Sequence, residues 1–319
     1  MKNIKDEKEN YISVIIPCYN CANTISQTLE SLNKQDLLES FEIIVVNNNS
    51  NDNSSDVIKS FSNVKLVHEI EIQNAAAARN FGVKNAKGGI VAFIDADCIA
   101  ASDWLSQGIQ AFRKHSVSRI GGQVQVSPLS SNSSAIEILD ALYSFCQRQL
   151  VDKYQVAMSG NMFIYKDIFE KLGGFKATFF ELEDIEFGIR ADTNGYSISY
   201  AKTCVVFHPA RNTFYSLWKK SVRNGRGSFL LCDHYPKWSG IWGWKHLIRP
   251  IKILLIPREL YWESISFSSS DLSYLKKLKI WFYAFLAIQL PEAWGYLKYC
   301  LISCLLKIRN KYFEKILNL

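Results

Sequence analysis

The chain has 319 residues, a hydrophobic content of 48% and a formal net charge of +7. This composition is sufficient for a full core and excludes a wholly disordered chain, and the length allows two modest domains or one large domain with an extension. The charge is uneven, because residues 1–201 have a formal charge of −6 and residues 202–319 a charge of +13. The basic C-terminal part indicates an anionic partner, which at this point is either a nucleic acid or an anionic membrane surface.

The eight cysteines are interpreted as scattered single residues rather than as disulfide or metal-binding pairs. The N-terminus has no secretory signal peptide, so we expect these cysteines to be reduced thiols in a cytosolic protein. Met1–Asn10 are polar and charged and are expected to form a disordered lead-in.

In the first hundred residues, short apolar β-type runs alternate with helical segments. The predicted strands are Tyr11–Ile16, which Pro17 ends, Phe41–Val46, Val64–Val67 and Ile90–Ile94. The predicted helices run from Asn23 or Thr24 to about Asn33, from the Asn/Ser-rich loop to about Ser60, and from Asn74 to about Lys87 with Gly88 at the C-cap. This alternation predicts βαβ units and an α/β fold with a mostly parallel sheet.

The same alternation continues to residue 208. Strands are predicted at Ile120–Val126, Ser159–Tyr165, Tyr196–Ala201 and Thr203–His208. Helices are predicted at Ser102–Lys114, Ile136–Val151, Lys166–Leu172 and from Glu183 to beyond Arg190. The sequence contains neither GxGxxG nor GxxxxGK[ST], so no dinucleotide-binding or P-loop fingerprint is present.

Asp95 and Asp97 follow the most apolar of these strands. In an open α/β sheet, ligands bind outside the carboxyl ends of the strands. Carboxylates are ligands that suit Mg²⁺ or Mn²⁺ carrying a diphosphate. An Asp-x-Asp pair also occurs in many solvated turns, so this pair alone leaves both interpretations open.

Five short motifs together resemble a known family. They are Ile16-Pro17-Cys18-Tyr19-Asn20, Val45-Val46-Asn47-Asn48-Asn49-Ser50-Asn51-Asp52, Ala78-Arg79-Asn80-x-Gly82, Phe93-Ile94-Asp95-Ala96-Asp97 and Glu183-Asp184-x-Glu186. In this order they are similar to a family-2 glycosyltransferase of bacterial type with the GT-A fold. The resemblance covers roughly residues 11–210, with a nucleotide-sugar half to residue 100 and an acceptor half after it. It implies transfer of a sugar from a nucleotide-sugar donor with inversion at the anomeric carbon.

The resemblance also implies a donor site. Its expected residues are Pro17, Tyr19, Asn20, Asn47, Asn49, Arg79, Asp95, Ala96 and Asp97. Asn47 departs from the family pattern, which usually has an Asp accepting the uracil imide N–H at this position. An amide oxygen still accepts that bond, but without the charge of a carboxylate. A UDP-sugar is therefore the expected donor. Asp52 is expected to cap a helix rather than to touch a ligand.

The expected chemistry needs a divalent cation and a base. By the resemblance, Asp97 binds Mn²⁺ or Mg²⁺ with Asp95 beside it, and the cation stabilises the leaving diphosphate. His208 is a further candidate ligand, although a lone His at a strand end is more often structural. Asp184 is expected to be the general base and Glu183 to orient the acceptor, and the two roles could be exchanged.

Four further residues are candidates for phosphate or acceptor contacts. They are Arg223, Arg226, Gly160 and Asn161. The two arginines lie in a stretch that resembles the region behind the catalytic site of bacterial members, where they could clamp a diphosphate or a phospholipid head group. A solvated basic helix is the alternative.

Residues 211–319 are predicted to be a basic, aromatic and helical region. Trp238, Trp242 and Trp244 stand among Lys and Arg side chains, a mixture that a membrane–water interface favours. The apolar runs Ile251–Ile256, Ile280–Leu290 (broken by Pro291) and Tyr299–Leu306 fall short of the roughly 20 residues that a spanning helix needs. We expect helices lying on a membrane, with a helical subdomain packed on the catalytic core as the alternative.

The sequence therefore predicts a metal-dependent inverting glycosyltransferase in polysaccharide or glycolipid synthesis. Its expected partners are a nucleotide-sugar donor, a glycan or lipid-linked acceptor and an anionic membrane surface, with no nucleic acid. The expected location is cytoplasmic, peripheral on the inner face of the plasma membrane. Two alternatives stay open: a nucleotidyltransferase, for which a Gly-rich basic loop after the first strand is missing, and an inactive glycan- or membrane-binding module.

Overall fold

The computed structural model describes residues 11–37, 40–126, 130, 132–238 and 273–301. These residues fall into two compact units. The first unit holds the described residues up to 126 together with 141–210. The second unit holds the described residues from 130 to 140, 211–238 and 273–301. The expected lead-in, Met1–Asn10, lies outside the described residues.

The first unit is built on an eight-stranded sheet. In chain order its strands are β1 Ile12–Cys18, β2 Phe41–Asn47, β3 Val64–His68, β4 Ile90–Ile94, β5 Ile99–Ala100, β6 Arg119–Val126, β7 Asn161–Tyr165 and β8 Ile198–His208. Their order across the sheet is β3-β2-β1-β4-β7-β6-β8-β5. The pairs β1–β2, β2–β3, β1–β4 and β6–β8 are parallel, and β4–β7, β6–β7 and β5–β8 are antiparallel. The predicted α/β class with a mostly parallel sheet is confirmed.

Helices connect these strands and cover both faces of the sheet. They are α1 Ile25–Leu32, α2 Ser54–Lys59, α3 Ala75–Lys84, α4 Trp104–His115, α5 Ala135–Ser144, α6 Gln147–Tyr154, α7 Lys166–Lys171 and α8 Glu183–Thr193. Successive β1 side chains point to opposite faces, so Val14 joins a core under α1 and α4 and Ile15 joins a core under α3 and α8. Gly82 of α3 lies so close to Ile15 and Val46 that a methyl group there would overlap them.

Pro17 does not end the first strand as predicted. β1 continues to Cys18, and Pro17 is in register with Val46 of β2. Proline cannot donate a ladder hydrogen bond, but β4 is paired with β1 only as far as Ile15. Pro17 therefore stands where β2 alone runs alongside, and the strand tolerates it there.

Gly88 is not the predicted C-cap of α3. The helix ends at Lys84 with Asn85 as its C-cap in the right-handed region, three residues earlier than expected. Gly88 instead lies against the backbone of Tyr11 and Ser13, where a Cβ atom would be too close to both. Because Gly88 has no side chain, this segment can pack closely against β1.

Two further boundaries differ from the prediction. The single helix expected at Ile136–Val151 is two helices, α5 and α6, and the second begins at the buried Gln147. The Gln147 amide donates to the carbonyl groups of Met158 and Asn161 and accepts from the Met158 N–H, so the first residue of α6 is tied to the loop before β7. Conversely, the two last predicted strands form one strand, β8.

The prediction that all cysteines are single thiols is wrong for Cys18 and Cys21. These two form a CxxC pair that the sequence interpretation overlooked, and the structure joins them in a disulfide. Asn20, between them, adopts φ +52°, which turns the chain back and brings the two Cα atoms to 5.9 Å. Among the described residues, the cysteines outside this disulfide are Cys98, Cys146, Cys204, Cys232 and Cys300.

The second unit is mainly helical where it is described. α9 spans Phe214–His234, a short 3₁₀ turn spans Pro236–Trp238, α10 spans Tyr274–Tyr283, a π-helical stretch spans Ala284–Gln289, and residues 290–301 are α-helical. Pro291, which ends the apolar run Ile280–Leu290, therefore lies within a helix. Proline loses one N–H and crowds the preceding turn, and the wider π-helical turn directly before it relieves this conflict.

None of the helices in the described part of the chain is long and apolar enough to cross a membrane. The predicted interfacial residues Trp242 and Trp244, the run Ile251–Ile256 and the end of the run Tyr299–Leu306 lie outside the described residues.

Candidate functional site

The candidate site lies at the carboxyl ends of β1, β2 and β4. Asp95 directly follows β4, whose five residues are all buried, as the sequence predicts. Tyr19 follows β1, and Asn47 is the last residue of β2. Because these three parallel strands are neighbours in the sheet, their carboxyl ends bring the predicted donor residues to one edge.

Arg79 connects the two acidic motifs. Its Nη2 donates to Asp95 Oδ1 at 2.7 Å and its Nη1 donates to Glu183 Oε1 at 2.8 Å. The side chain is only 6% exposed. Burial by itself would lower the pKa of Arg79, but Asp95 and Glu183 raise it above its ordinary value, so the guanidinium stays charged. One buried cation thus fixes the end of β4 to the start of α8.

Glu183 and Asp184 share the first turn of α8 but have different surroundings. Burial, and then the charge of Asp184, raise the pKa of Glu183 to about 7 although Arg79 opposes the shift. Asp184 Oδ2 accepts from the Ser159 N–H at 2.9 Å and from the Ser159 hydroxyl at 3.3 Å. Burial also raises the pKa of Asp184, against the effect of these hydrogen bonds. Unlike Glu183, Asp184 is partly exposed and carries no direct ion pair with Arg79.

Asp97 faces His208, the last residue of β8. Asp97 Oδ2 is 3.5 Å from His208 Nε2, and the Asp97 side chain is 39% exposed. His208 Nδ1 lies 2.7 Å from the Pro209 carbonyl oxygen, which can only accept, so Nδ1 carries the proton in the neutral ring. The lone pair of Nε2 then points towards Asp97. This is the arrangement of a metal-ligating histidine oriented by a backbone carbonyl, and the two side chains fit a divalent cation.

The loops around Tyr19 and Asn49 have an unusual backbone. Asn20 and Asn49 both adopt positive φ angles, of 52° and 62°. The Asn20 N–H donates to Ser50 Oγ, and Asn20 Oδ1 accepts from the Asn51 N–H, so the loops after β1 and β2 hold each other. The Tyr19 side chain is 53% exposed beside them.

Asn47 is buried and its amide is engaged at both ends. Its Oδ1 accepts from the Ser50 N–H at 2.9 Å, and its Nδ2 donates to Ser55 Oγ at 2.6 Å. Asp52 accepts from the N–H of Ser54, the first residue of α2, and also from the Ala22 N–H. Its hydrogen bond with the Ser54 hydroxyl, the largest effect, lowers the pKa of Asp52. Asp52 therefore holds the start of α2, in agreement with its expected structural role.

Ala96, Gly160 and Asn161 serve the framework of the site. The Ala96 carbonyl accepts from the buried Thr28 hydroxyl. Gly160 lies against the Asp95 carboxylate, where a Cβ atom would be 2.9 Å from Oδ2. Asn161 is fully buried. Its Oδ1 accepts from Trp104 Nε1, and its Nδ2 donates to the carbonyls of Gln123 and Cys204. The Asn161 amide is thus used within the core, unlike the predicted phosphate or acceptor contact.

Arg223 and Arg226 belong to α9 in the second unit. The Arg226 guanidinium lies 4.6 Å from the centre of the Tyr299 ring. In the same unit, buried Asp140 pairs with Arg211 and Lys220, and burial lowers the pKa of Lys220 to about 8 although Asp140 opposes the shift. No motif in the sequence indicates this ion-pair cluster.

Sequence reasoning also missed Ser159 and Cys98 at the site. Ser159 precedes β7, 25 residues before Asp184. Its contact with Asp184 joins the segment before β7 to the start of α8, so no local signal could have identified it. Cys98 is adjacent to Asp97, and this position is the one signal of it in the sequence, since a single cysteine also fits an ordinary reduced thiol.

These features define an α/β protein of the GT-A class, with an acidic pair after a central strand and a second acidic pair at the start of a helix. The sequence profile described as Glycosyl transferase family 2 matches residues 13–173. This is half of the chain, and the chain belongs to that family. Glu183, Asp184 and His208 lie beyond the matched segment, so the structure rather than the profile brings them to the site.

Known proteins agree with this assignment. The chain is 33% identical over 222 residues to the glycosyltransferase AglE of Haloferax volcanii, an alignment that covers 68% of this chain and 72% of AglE. In fold it resembles the mannosyltransferase PcManGT of Pyrobaculum calidifontis in complex with GDP-Man and Mn²⁺, with a TM-score of 0.63, 17% identity and coverage of 90% and 86%. It also resembles S. aureus TarS 1-349 in complex with UDP-GlcNAc, with a TM-score of 0.54, 16% identity and 91% coverage of both chains.

Replacing Arg79 by Met should lower the free energy of unfolding by about 3–5 kcal/mol, because Asp95 and Glu183 would lose their buried partner. Urea unfolding followed by circular dichroism measures this loss. Arg148→Met is the matched control, since Arg148 and Asp152 form an exposed pair on α6 and should contribute less than about 1 kcal/mol. Equal losses in the two variants would contradict a structural role for the Arg79 bridge.

Proposed function

We propose that this protein is an inverting glycosyltransferase that uses a nucleotide-sugar donor, with a UDP-sugar as the expected class. The observation that carries the proposal is the Arg79 bridge, because it holds the Asp95–Asp97 pair and the Glu183–Asp184 pair in one site. One pair suits the donor and its diphosphate, and the other suits proton removal from the acceptor. Membership of family 2 supports the same reaction class.

The donor end of the site favours a nucleotide. The loops after β1 and β2, which carry Tyr19 and Asn49, are joined by hydrogen bonds. The Tyr19 ring stays exposed and is available to a base. The nucleotide sugars bound by PcManGT and TarS, a GDP-sugar and a UDP-sugar, support this donor class. Asn47 uses its oxygen to accept from Ser50, so this amide contributes mainly to loop geometry and leaves base selection to its neighbours.

Asp184 is the proposed general base. It is partly exposed, whereas Glu183 is 11% exposed in its side chain and bound to Arg79. As the acceptor hydroxyl oxygen attacks the anomeric carbon, its proton passes to an Asp184 oxygen. The bond from that carbon to the diphosphate oxygen breaks, and its electron pair leaves with the diphosphate. Ser159 orients the Asp184 carboxylate throughout, and Glu183 positions Arg79 and the acceptor side of the site.

Asp97 and His208 are the proposed holders of a divalent cation, Mn²⁺ or Mg²⁺. When bound, such a cation neutralises the charge that develops on the diphosphate. The carbonyl of Pro209 keeps the His208 ring in the tautomer whose Nε2 accepts a ligand bond. The Mn²⁺ in the PcManGT complex supports a divalent metal for this fold.

The acceptor is proposed to be a glycan or a lipid-linked saccharide, reached at a membrane surface. The support comes from the second unit by itself. Along 290–301, one helix face exposes apolar side chains at helical spacing. They are Leu290, Trp294, Leu297 and Leu301, and Lys298 is exposed next to them. An amphipathic face with a basic neighbour suits the interface of an anionic bilayer.

A thermal-shift panel of UDP-, GDP- and dTDP-sugars, each with and without Mn²⁺, tests the donor site. A ligand that binds only the folded protein raises the melting temperature, so one nucleotide class should stabilise the protein and should do so more strongly with Mn²⁺. Asp97→Asn should remove the Mn²⁺-dependent part, and Asp103→Asn, at the residue directly before α4, serves as the control. If no nucleotide sugar raises the melting temperature, with or without Mn²⁺, the proposed function fails.

Replacing Asp184 by Asn should lower kcat by about 10²–10⁴-fold, because an amide cannot accept the acceptor proton. Wild-type kcat/KM should also fall as the pH drops through the raised pKa of Asp184, at a pH above its ordinary value of 3.8, since only the carboxylate acts as base. A radiolabelled sugar-transfer assay measures both. Asp192→Asn, on the exposed face of the same helix, should keep wild-type kcat. An Asp184→Asn enzyme with wild-type kcat would assign the base elsewhere.

Replacing Trp294 by Glu should weaken binding to anionic vesicles by about tenfold or more, because burial of a large apolar side chain contributes about 1.5–3 kcal/mol. Co-sedimentation with phosphatidylglycerol-containing vesicles, compared with neutral phosphatidylcholine vesicles, measures the effect. Ile70→Glu is the control, as Ile70 is 74% exposed in the first unit. Wild-type protein that does not sediment with anionic vesicles would contradict the membrane proposal.

A further inference from the structure

The mechanism above makes no use of Cys98, which directly follows Asp97 and is fully buried. Its Sγ, an Asp97 carboxylate oxygen and a His208 ring nitrogen all lie within 4.8 Å of one another. Cys98 Sγ is 3.9 Å from Asp97 Oδ1, and His208 Nε2 is 3.5 Å from Asp97 Oδ2. Three different ligand types thus converge on one point.

The fold holds these residues together through two strands. β5 and β8 pair in antiparallel register, with Ile99 opposite Phe207. Continuing this register by one residue places Cys98 opposite His208. The Cys98 N–H also donates to the Asp95 carbonyl at 3.1 Å, which fixes the turn that carries Asp97. The convergence therefore follows from strand pairing, not from freely moving side chains.

The spacing suits a metal centre. With metal–sulfur, metal–nitrogen and metal–oxygen bonds of about 2.3, 2.0 and 2.1 Å, tetrahedral ligands stand about 3.4–3.6 Å apart. His208 Nε2 lies 3.5 Å from one Asp97 carboxylate oxygen and Cys98 Sγ lies 3.9 Å from the other, and one ligand atom from each of the three residues lies within 4.8 Å of the others. Asp97 is also the most exposed of the three, so one coordination position faces the open side of the site.

We propose that Cys98 is a third protein ligand of the cation held by Asp97 and His208, so that the site selects thiophilic ions such as Co²⁺ and Zn²⁺ over Mg²⁺. The inference rests on the metal site of the proposed function and specifies its preference. On binding, the S–H bond of Cys98 breaks, a sulfur–metal bond forms and the proton passes to solvent. Sulfur ligands favour softer ions, whereas Mg²⁺ prefers oxygen ligands.

Titration of the full-length, chelator-treated protein with CoCl₂ tests the inference without an activity assay. A thiolate bound to Co²⁺ gives a charge-transfer band in the near ultraviolet, which the wild-type protein should show. Cys98→Ser should lose the band and bind Co²⁺ at least about tenfold more weakly, a lower bound taken from the loss of outer-shell partners. Cys204→Ser, which removes another buried thiol, should keep both the band and the affinity.

Zn²⁺ should displace Co²⁺ from the wild-type protein at far lower concentration than Mg²⁺, and this difference should shrink in Cys98→Ser. A wild-type protein that binds Co²⁺ without the band, or a Cys98→Ser protein that keeps it, overturns the inference.

In either case Mn²⁺-dependent stabilisation by a nucleotide sugar would leave the proposed function standing. Loss of that stabilisation in the wild-type protein would instead remove the function on which the inference rests. Circular dichroism of each variant tests whether a lost band comes from unfolding.

Discussion

The ion bridge from Arg79 to Asp95 and Glu183 is the interaction on which the site depends. Arg79 and Asp95 lie 16 positions apart along the chain, and Arg79 and Glu183 lie 104 positions apart. The bridge therefore holds three elements, α3, β4 and α8, in a fixed relation. A buried arginine is costly to desolvate, and two carboxylates repay that cost only while both stay in place. The acidic motifs therefore cannot move apart without leaving charges buried and unpaired, which keeps the two motifs in a fixed relation.

The bridge also explains why two adjacent acids have different surroundings. Glu183 is committed to Arg79 and is largely buried. Asp184 accepts hydrogen bonds from Ser159 and retains access to solvent. In the first turn of a helix, both carboxylates also benefit from the helix dipole. Side-chain environment, more than residue type, thus separates the group that organises the site from the group that can take a proton.

The sequence predicted the parts of this protein that depend on local pattern. The buried run Ile90–Ile94, the acids after it and the alternation of strands and helices follow from hydrophobic periodicity and from short motifs. It failed where distant segments decide the outcome. The contact of Ser159 with Asp184 joins two segments that are distant in the chain, and the Asn161 amide is used within the core because three elements offer it partners. The CxxC spacing of Cys18 and Cys21 is present in the sequence, but only the turn at Asn20 shows that the two side chains meet.

The buried Asn161 has a structural consequence of its own. The register of β6 against β8 shifts between Gly122 and Gln123, and the Asn161 amide donates to the carbonyls of Gln123 and Cys204 beside this shift. The Asn161 side chain thus supplies hydrogen bonds where the β6–β8 backbone pairing is interrupted. Its amide also occupies the space that a Cβ atom at Gly122 would need. His208 stands four residues after Cys204 on the same strand, beyond this shift, and the shifted register places it opposite Val126 of β6. An inserted or deleted residue in that stretch would rotate the imidazole to the opposite face of the sheet.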